Sequence, residues 1–388
     1  MEKRQLLNFF CLVALIGAVI GTASAYSTPE SIVAASKVYV SNVSYDPATF
    51  FTGDEGTVII SVTNANTNDS AVVNHAVFGD QDIRLTSTPF DSTVHIGPLQ
   101  TQKFVFSVVA DAQDGTYYPP FSLTFRDADN LYYRQMLLVE NRNLDLTIVD
   151  KPDAFVQGKK KTVYLQAANP RDGVVTNAVL EVSGDGITAA PARTYIGQIG
   201  PGAKIPVNVS VTPDKETQLS LVLTYDNGNN PHKVTMEVPI TFGNDKKQAD
   251  PVMSNIQVTS VGTTYHVTGD VNNAGLETAN TVTVTALSPA VPEDPYKTYV
   301  VGALKTDDFG SFEITFTTDG KTTSVPVQVS FKDSDGNLYS SVQNVSVSPV
   351  GLNAIKDNGP PLVPIIAALV IVAIFVGGWY FYLRKKKQ

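Results

Sequence analysis

The sequence of 388 residues predicts an all-β chain held outside a membrane, and three observations predict it. Apolar and polar residues alternate with period two through most of residues 26–350, the pattern of strands with one buried face. Asn, Asp, Gly and Pro interrupt the alternation about every ten positions, as turns between short strands do. Long uncharged apolar runs stand near both ends. The composition agrees: 43% hydrophobic and 17% charged, with 27 Gly and 23 Pro, excludes collagen-like and wholly disordered chains.

Residues 1–25 open with Lys3 and Arg4, run through the apolar stretch from Leu12 to Ile20 and close on Ala23-Ser24-Ala25. That is the layout of a secretory signal, with Ala23 and Ala25 at the −3 and −1 positions and cleavage expected before Tyr26. Cys11 is not preceded by the small residues of a lipoprotein signal, so a lipid anchor is not expected on it.

Between the ends the alternation is explicit in Val58/Ile60/Val62, Phe104/Phe106/Val108, Val207/Val209/Val211, Phe312/Ile314/Phe316 and Val325/Val327/Val329/Phe331. No stretch keeps a helical period over more than two turns. Three markers recur in one order at a spacing of about 100 to 106 residues, the signature of an internal repeat. The first is a strand ending in an Asn turn: Val62-Thr63-Asn64, Ala167-Ala168-Asn169 and Val271-Asn272-Asn273. Asn suits such a turn because it tolerates left-handed φ and bonds its own backbone. The second is Ile96-Gly97-Pro98-Leu99, Ile196-Gly197-Gln198-Ile199 and Val301-Gly302-Ala303-Leu304. The third is Leu123-Thr124-Phe125-Arg126-Asp127, Leu223-Thr224-Tyr225-Asp226 and Val329-Ser330-Phe331-Lys332-Asp333.

Three tandem modules follow, at 26–143, 144–249 and 250–350. Each has the size of an immunoglobulin-like β-sandwich of about seven or eight strands, large enough for a core without covalent bridges. The Cys and Trp hallmark of antibody domains is absent, since Trp379 is the only tryptophan. The fold class expected is therefore all-β: three tandem immunoglobulin-like β-sandwiches plus one C-terminal transmembrane α-helix.

Residues 351–361, with Gly359-Pro360-Pro361, read as a stalk. Residues 362–383 carry no charge, and as a helix they span about 33 Å against a hydrocarbon core of about 30 Å. Trp379, Tyr380 and Tyr382 lie near the end of the run, and Arg384, Lys385, Lys386 and Lys387 follow at once as a membrane stop. By the positive-inside rule the tail 384–388 is cytoplasmic and the modules are outside, a single-pass type I arrangement. A removed GPI-type tail is disfavoured by the basic stop.

Charge narrows the partners. The chain has 28 basic and 37 acidic residues; without two basic and one acidic residue of the leader and four basic residues of the tail, the outside carries a net charge of −14. Nucleic acid and anionic headgroups are poor partners for that surface, and the acidic excess is in the first place a solubility device. Cys11 is the only cysteine, so the mature chain has no disulfide, thiol nucleophile or Cys-ligated metal.

Four sequons, at Asn42, Asn68, Asn208 and Asn344, are glycosylation candidates in a host that modifies its surface proteins. Asn208 and Asn344 alternate with valines, so their side chains are expected in solvent. Asp127-Ala-Asp129-Asn130 and Asp333-Ser-Asp335-Gly336-Asn337 admit two readings, an ordinary β-turn or a weak calcium site. The twelfth loop position holds Leu138 or Asn344 rather than Glu, which excludes an EF-hand. His75, His95, His232 and His266 show no metal-ligand spacing, and there is no GxSxG, Walker or GxGxxG element. No catalytic residue, cofactor or enzyme activity is expected.

The third module, through Gly269-Asp270-Val271-Asn272-Asn273-Ala274-Gly275, Val301-Gly302-Ala303-Leu304 and Asp333-Ser334-Asp335-Gly336-Asn337, resembles the Ig-like modules of archaeal surface-layer-domain proteins and the related adhesion modules called CARDB. The first resembles them through Asp114-Gly115-Thr116-Tyr117 and Leu123 to Asp127; the second departs most, lacking the Gly-Thr-Tyr element. The resemblance implies an envelope protein of a methanogen-like archaeon and carries no catalytic residues. Two functions are then expected as alternatives. One is a structural or adhesive surface protein contacting other envelope or surface-layer proteins. The other is an extracytoplasmic accessory subunit of a membrane transporter or export complex.

Overall fold

The computed structural model describes residues 29–347. The expected leader 1–25, stalk 351–361, membrane span 362–383 and basic tail 384–388 lie outside them. Among the described residues, no helix is long and apolar enough to cross a membrane.

Among the described residues the chain is all-β apart from one short helix, α1 (Pro29–Ser36). The period-two reading of the first module did not anticipate it. Pro at the first helical position costs no hydrogen bond, because that N–H has no intrahelical partner. Ala34 is buried, and Asn66 Nδ2 donates to its carbonyl at 2.8 Å, satisfying a group that a helix end leaves open.

Eleven strands follow in the first module: β1 (Val38–Asp46), β2 (Thr49–Phe50), β3 (Glu55–Asn64), β4 (Ala71–Phe78), β5 (Ile83–Leu85), β6 (Val94–Ile96), β7 (Thr101–Ala110), β8 (Gly115–Tyr117), β9 (Pro120–Phe125), β10 (Leu131–Arg134) and β11 (Leu137–Val139). They form sheets in the orders β1-β3-β7-β5 and β6-β4-β9-β10, with a small sheet β2-β11-β8. The second module has β12 (Asp145–Asp150), β13 (Lys161–Ala168), β14 (Val175–Ser183), β15 (Ile187–Ala190), β16 (Arg193–Ile199), β17 (Lys204–Pro213), β18 (Thr217–Asn227) and β19 (Asn230–Ile240). Its sheets run β12-β13-β17-β15 and β16-β14-β18-β19. The third has β20 (Pro251–Val261), β21 (Thr264–Asn273), β22 (Ala279–Ala286), β23 (Val291–Pro292), β24 (Thr298–Leu304), β25 (Phe309–Thr317), β26 (Ser324–Lys332) and β27 (Leu338–Ser346). Its sheets run β20-β21-β25-β23 and β24-β22-β26-β27. The same pair of four-stranded sheets is thus built three times, all of it antiparallel.

The alternation is the cause. In β17, Val207, Val209 and Val211 are buried while Asn208 between them is exposed, so one face of the sheet turns inward. The inward faces of each sheet pair meet in one apolar cluster. The first is rich in phenylalanine, with Phe90 set edge-on to Phe104 and Phe106 at 5.3 and 5.5 Å between ring centroids. The second is mostly aliphatic around Val163, Leu180, Leu221 and Tyr225. The third is built on Val267, Val284 and Val327, with Tyr265 stacked on Phe316 at 5.7 Å. The described chain divides at Asp245/Lys246 into two compact units, the first containing the first two clusters. Ala249 packs in the third cluster, on the third module's side.

The three marker asparagines are buried and tie one sheet to the other. Asn169 Nδ2 donates to the carbonyls of Gly173 (2.8 Å) and Ile199 (3.0 Å), and its Oδ1 accepts the backbone N–H of Arg171 (3.0 Å). Asn64 does the same with Asp69, Ile96 and Asn66, and Asn273 with Glu277, Leu304 and Gly275. None of the three is among the positive-φ residues; the expectation of left-handed backbone at these positions is wrong. That conformation belongs to Leu99 (φ 57), Gly202 (φ 68) and Asp307 (φ 60) in the facing turns.

These bonds also correct the register of the second marker. The carbonyl that receives the Asn side chain is on Ile96 in the first module but on Ile199 and Leu304 in the others, so Ile96 matches Ile199, not Ile196. The Ile-Gly dipeptides misalign by three residues because Gly97 follows the buried position, whereas Gly197 precedes it.

Candidate functional site

All four sequon asparagines, Asn42, Asn68, Asn208 and Asn344, are exposed. Asp127 and Asp129 are exposed in the β9–β10 turn, with Asp127 at φ 54. Asp333 is buried, and its carboxylate accepts the Asn337 backbone N–H and Nδ2, each at 2.8 Å, across the β26–β27 turn that also holds Asp335. Among the described residues, no three His, Asp, Glu or Cys side chains gather around a point that would hold a metal. Three of the four histidines face a carboxylate distant in sequence: His75 with Asp91, His232 with Asp54, and His266 with Glu313. Spacing along the chain could not have revealed these pairs.

The most elaborate polar constellation joins the first two modules. Arg171, in the turn after Asn169, is 1% exposed. Its Nη1 donates to the carbonyls of Glu140 and Arg142, and its Nη2 to the carbonyl and hydroxyl of Thr49 at 3.2 and 3.0 Å. The guanidinium carbon lies 3.7 Å from the centre of the Phe51 ring, a cation–π contact. Phe51 belongs to the first module by sequence but is buried in the second module's core, where it stacks on His232 at 4.0 Å. Burial lowers the affinity of Arg171 for its proton, and the neighbouring Glu140, Tyr225, Asp54 and Asp114 act against that. The planar fork explains the choice of Arg, since its donors reach several acceptors at once and it remains charged when desolvated.

Asp54 completes the junction. Its Oδ2 accepts the Phe51 N–H at 3.0 Å and Asn227 Nδ2 at 2.7 Å, while Oδ1 is 3.0 Å from His232 Nε2. Asn230 exchanges two bonds with the Glu55 backbone, accepting its N–H and donating to its carbonyl. Tyr225, whose phenol burial pushes above its ordinary pKa, donates to Asn143 Oδ1 at 2.9 Å. The connecting segment is therefore clamped from both sides, and the first two modules form one body. Sequence reading missed the junction; the only local signal was Asp54 and Arg171 standing in turns beside strand ends.

A shallow polar cleft of about 480 Å³ lies in the third module, lined by Asn255, Gln257, Asp270, Tyr296, Tyr299 and Glu313 among others. Asp270 accepts Asn255 Nδ2 and Ser311 Oγ, both at 2.8 Å, and these bonds hold its carboxyl below the usual carboxylate range. Asn255 is in the left-handed region (φ 54) at a bulge in β20, which turns its amide toward Asp270. The cleft presents two phenols and fixed amide and carboxylate groups, a surface for a polar partner.

No known family matches the chain. An uncharacterized protein of Methanocaldococcus jannaschii is 29% identical over 181 residues, covering 45% of this chain and 34% of the relative, so the match spans about a third of that protein's length. Among solved structures, a crystal structure of red sea bream transglutaminase is 15% identical, covering 53% of this chain and 31% of the other, with a TM-score of 0.22. So loose a likeness carries no argument.

Proposed function

We propose that this protein is a non-catalytic structural and interaction protein of an archaeal cell envelope, with immunoglobulin-like modules held outside the membrane by a C-terminal helix. The single observation that carries the reading is the threefold recurrence of one pair of sheets with one strand order, each around its own core. Repetition of a binding-type module, none of them interrupted by a different domain, is the architecture of a spacer or adhesin rather than of a hydrolase with appended modules. The clamp at Arg171 supports it, because a spacer that projects a contact surface needs a junction that does not hinge. The exposed sequons and the basic-tailed apolar segment 362–383 support an outside, glycan-bearing and membrane-anchored setting.

Crosslinking on intact cells followed by identification of the neighbours tests the proposal. Recovery of coat or other envelope proteins is the expected result. Stoichiometric recovery with a polytopic transporter in mild detergent points instead to an accessory subunit, and recovery of only random membrane proteins overturns both. Replacing Tyr296 and Tyr299 by Ala is expected to weaken the crosslink if the third-module cleft makes the contact.

A further inference from the structure

We propose that Lys161 and Asp245 condense into an intramolecular amide that closes the second module covalently. Lys161 opens β13 in the core-facing register, two residues from Val163 and alternating with Leu165 and Ala167, so its side chain enters the apolar interior. Asp245 lies beyond β19, the last strand of the module. The two side chains are 3% and 1% exposed, with Lys161 Nζ 3.7 Å from Asp245 Oδ2. That approach is longer than the roughly 2.7–2.9 Å of a charge-assisted hydrogen bond. Two opposite charges have thus left water side by side, and taking such a pair out of water is costly even where the charges attract each other. A neutral amide removes both charges.

The carboxylate is held in place from its other side. The Asp153 backbone N–H donates to Oδ1 at 3.3 Å. The flanking chain is fixed where Phe155 and Phe242 form a parallel bridge, with the Phe155 N–H donating to the Thr241 carbonyl and the Gly243 N–H to the Phe155 carbonyl. Oδ1 is therefore the oxygen retained as the amide carbonyl, with a donor already aimed at it, and Oδ2 is the one that leaves. One ammonium proton passes to Oδ2. The freed lone pair of Nζ attacks Cγ, the Nζ–Cγ bond forms, and the Cγ–Oδ2 bond breaks as a second nitrogen proton goes to the departing oxygen. Ammonium and carboxylate become one amide and one water, with no oxidant or co-reactant. Fixed reacting groups behave as if at effective concentrations of about 10⁵–10⁸ M, and burial shields the product from hydrolysis.

The bond ties the start of β13 to the chain past β19 and so encloses most of the module in one covalent loop. The mature sequence expected here has no cysteine to make a disulfide, so this is a staple of a kind open to it.

Mass spectrometry of a tryptic digest of the purified full chain tests the inference. The expected product is a branched peptide joining positions 161 and 245, lighter by one water than its two parts, with no cleavage after Lys161. Lys161→Arg and Asp245→Ala abolish it. Asp245→Asn gives the same branched peptide, now by loss of ammonia. Recovery of separate, unmodified peptides carrying Lys161 and Asp245 from the unaltered protein overturns the proposal, and that readout holds even if a variant fails to fold.

Discussion

Asn273 Nδ2 lies 3.0 Å from the carbonyl oxygen of Leu304 and joins the end of β21, in one sheet, to the end of β24, in the other. Asn64 with Ile96 and Asn169 with Ile199 make the same contact, so two sequence markers some thirty residues apart are one structural device.

Asn273→Ala is expected to cost about 3 kcal/mol, because it strands buried backbone groups that each carry a penalty of about 1–3 kcal/mol when unsatisfied. The Asp250 and Gly275 N–H groups lose their acceptor, and the Glu277 and Leu304 carbonyls lose their donor. Thermal unfolding of the full chain reads the change as an early melting step of the third module. A melt unchanged from the parent protein contradicts the role given to this residue.

Arg171 admits a sharper test, since a charge-conserving change separates fork geometry from charge. Arg171→Lys and Arg171→Met are both expected to loosen the first junction, at a cost of about 3 kcal/mol or more as buried carbonyls lose their donors. Limited proteolysis between residues 140 and 144 should then proceed faster, with the first two cores unfolding separately. If the lysine variant is as resistant as the parent, charge alone holds the junction.

Leu99 sits at φ 57, where the second and third modules place Gly202 and Asp307, and its side chain is 68% exposed. A branched apolar residue in the left-handed region costs about 1–2 kcal/mol, while Asn adopts it readily. Leu99→Asn is expected to stabilise the first module by about 1 kcal/mol. Destabilisation on calorimetry would mean that the leucine packs against something in the intact protein.

Tyr45 bears on alkaline stability. Burial, then the nearby Tyr133, raises its phenol pKa far above the ordinary value, and its hydroxyl has no hydrogen-bond partner among the described residues. A raised folded-state pKa means that stability is fully present below the unfolded value of about 10 and is lost as pH rises toward the folded one. Tyr45→Phe should abolish this share of the alkaline loss and leave neutral stability within about 1 kcal/mol of the parent, or slightly above it. Urea unfolding at pH 7 and above pH 10 checks both halves.

Strand alternation and the triplicate markers were legible because they are local. A period of two reports which face of a strand is buried, whatever partner covers it, and Val207/Asn208/Val209 reads identically in sequence and structure. Local pattern also misled. The Ile-Gly pairs place Ile196 opposite Ile96, whereas the side-chain bonds of Asn64 and Asn169 match Ile96 with Ile199, because the turn is defined by the sign of φ at Leu99 and Gly202 and a leucine conceals that sign. The helix α1 spans only eight residues, too few for a period to stand out.

Periodicity, turn chemistry and the apolar ends were enough to specify strands, repeat and the expected anchor. Nothing along the chain announced that Arg171 would reach Thr49, that Asp54 would meet His232, or that Lys161 would enter a core opposite Asp245. Those partners are tens to hundreds of residues apart, and each pairing exists only because folding removes water from the space between surfaces that share no local pattern.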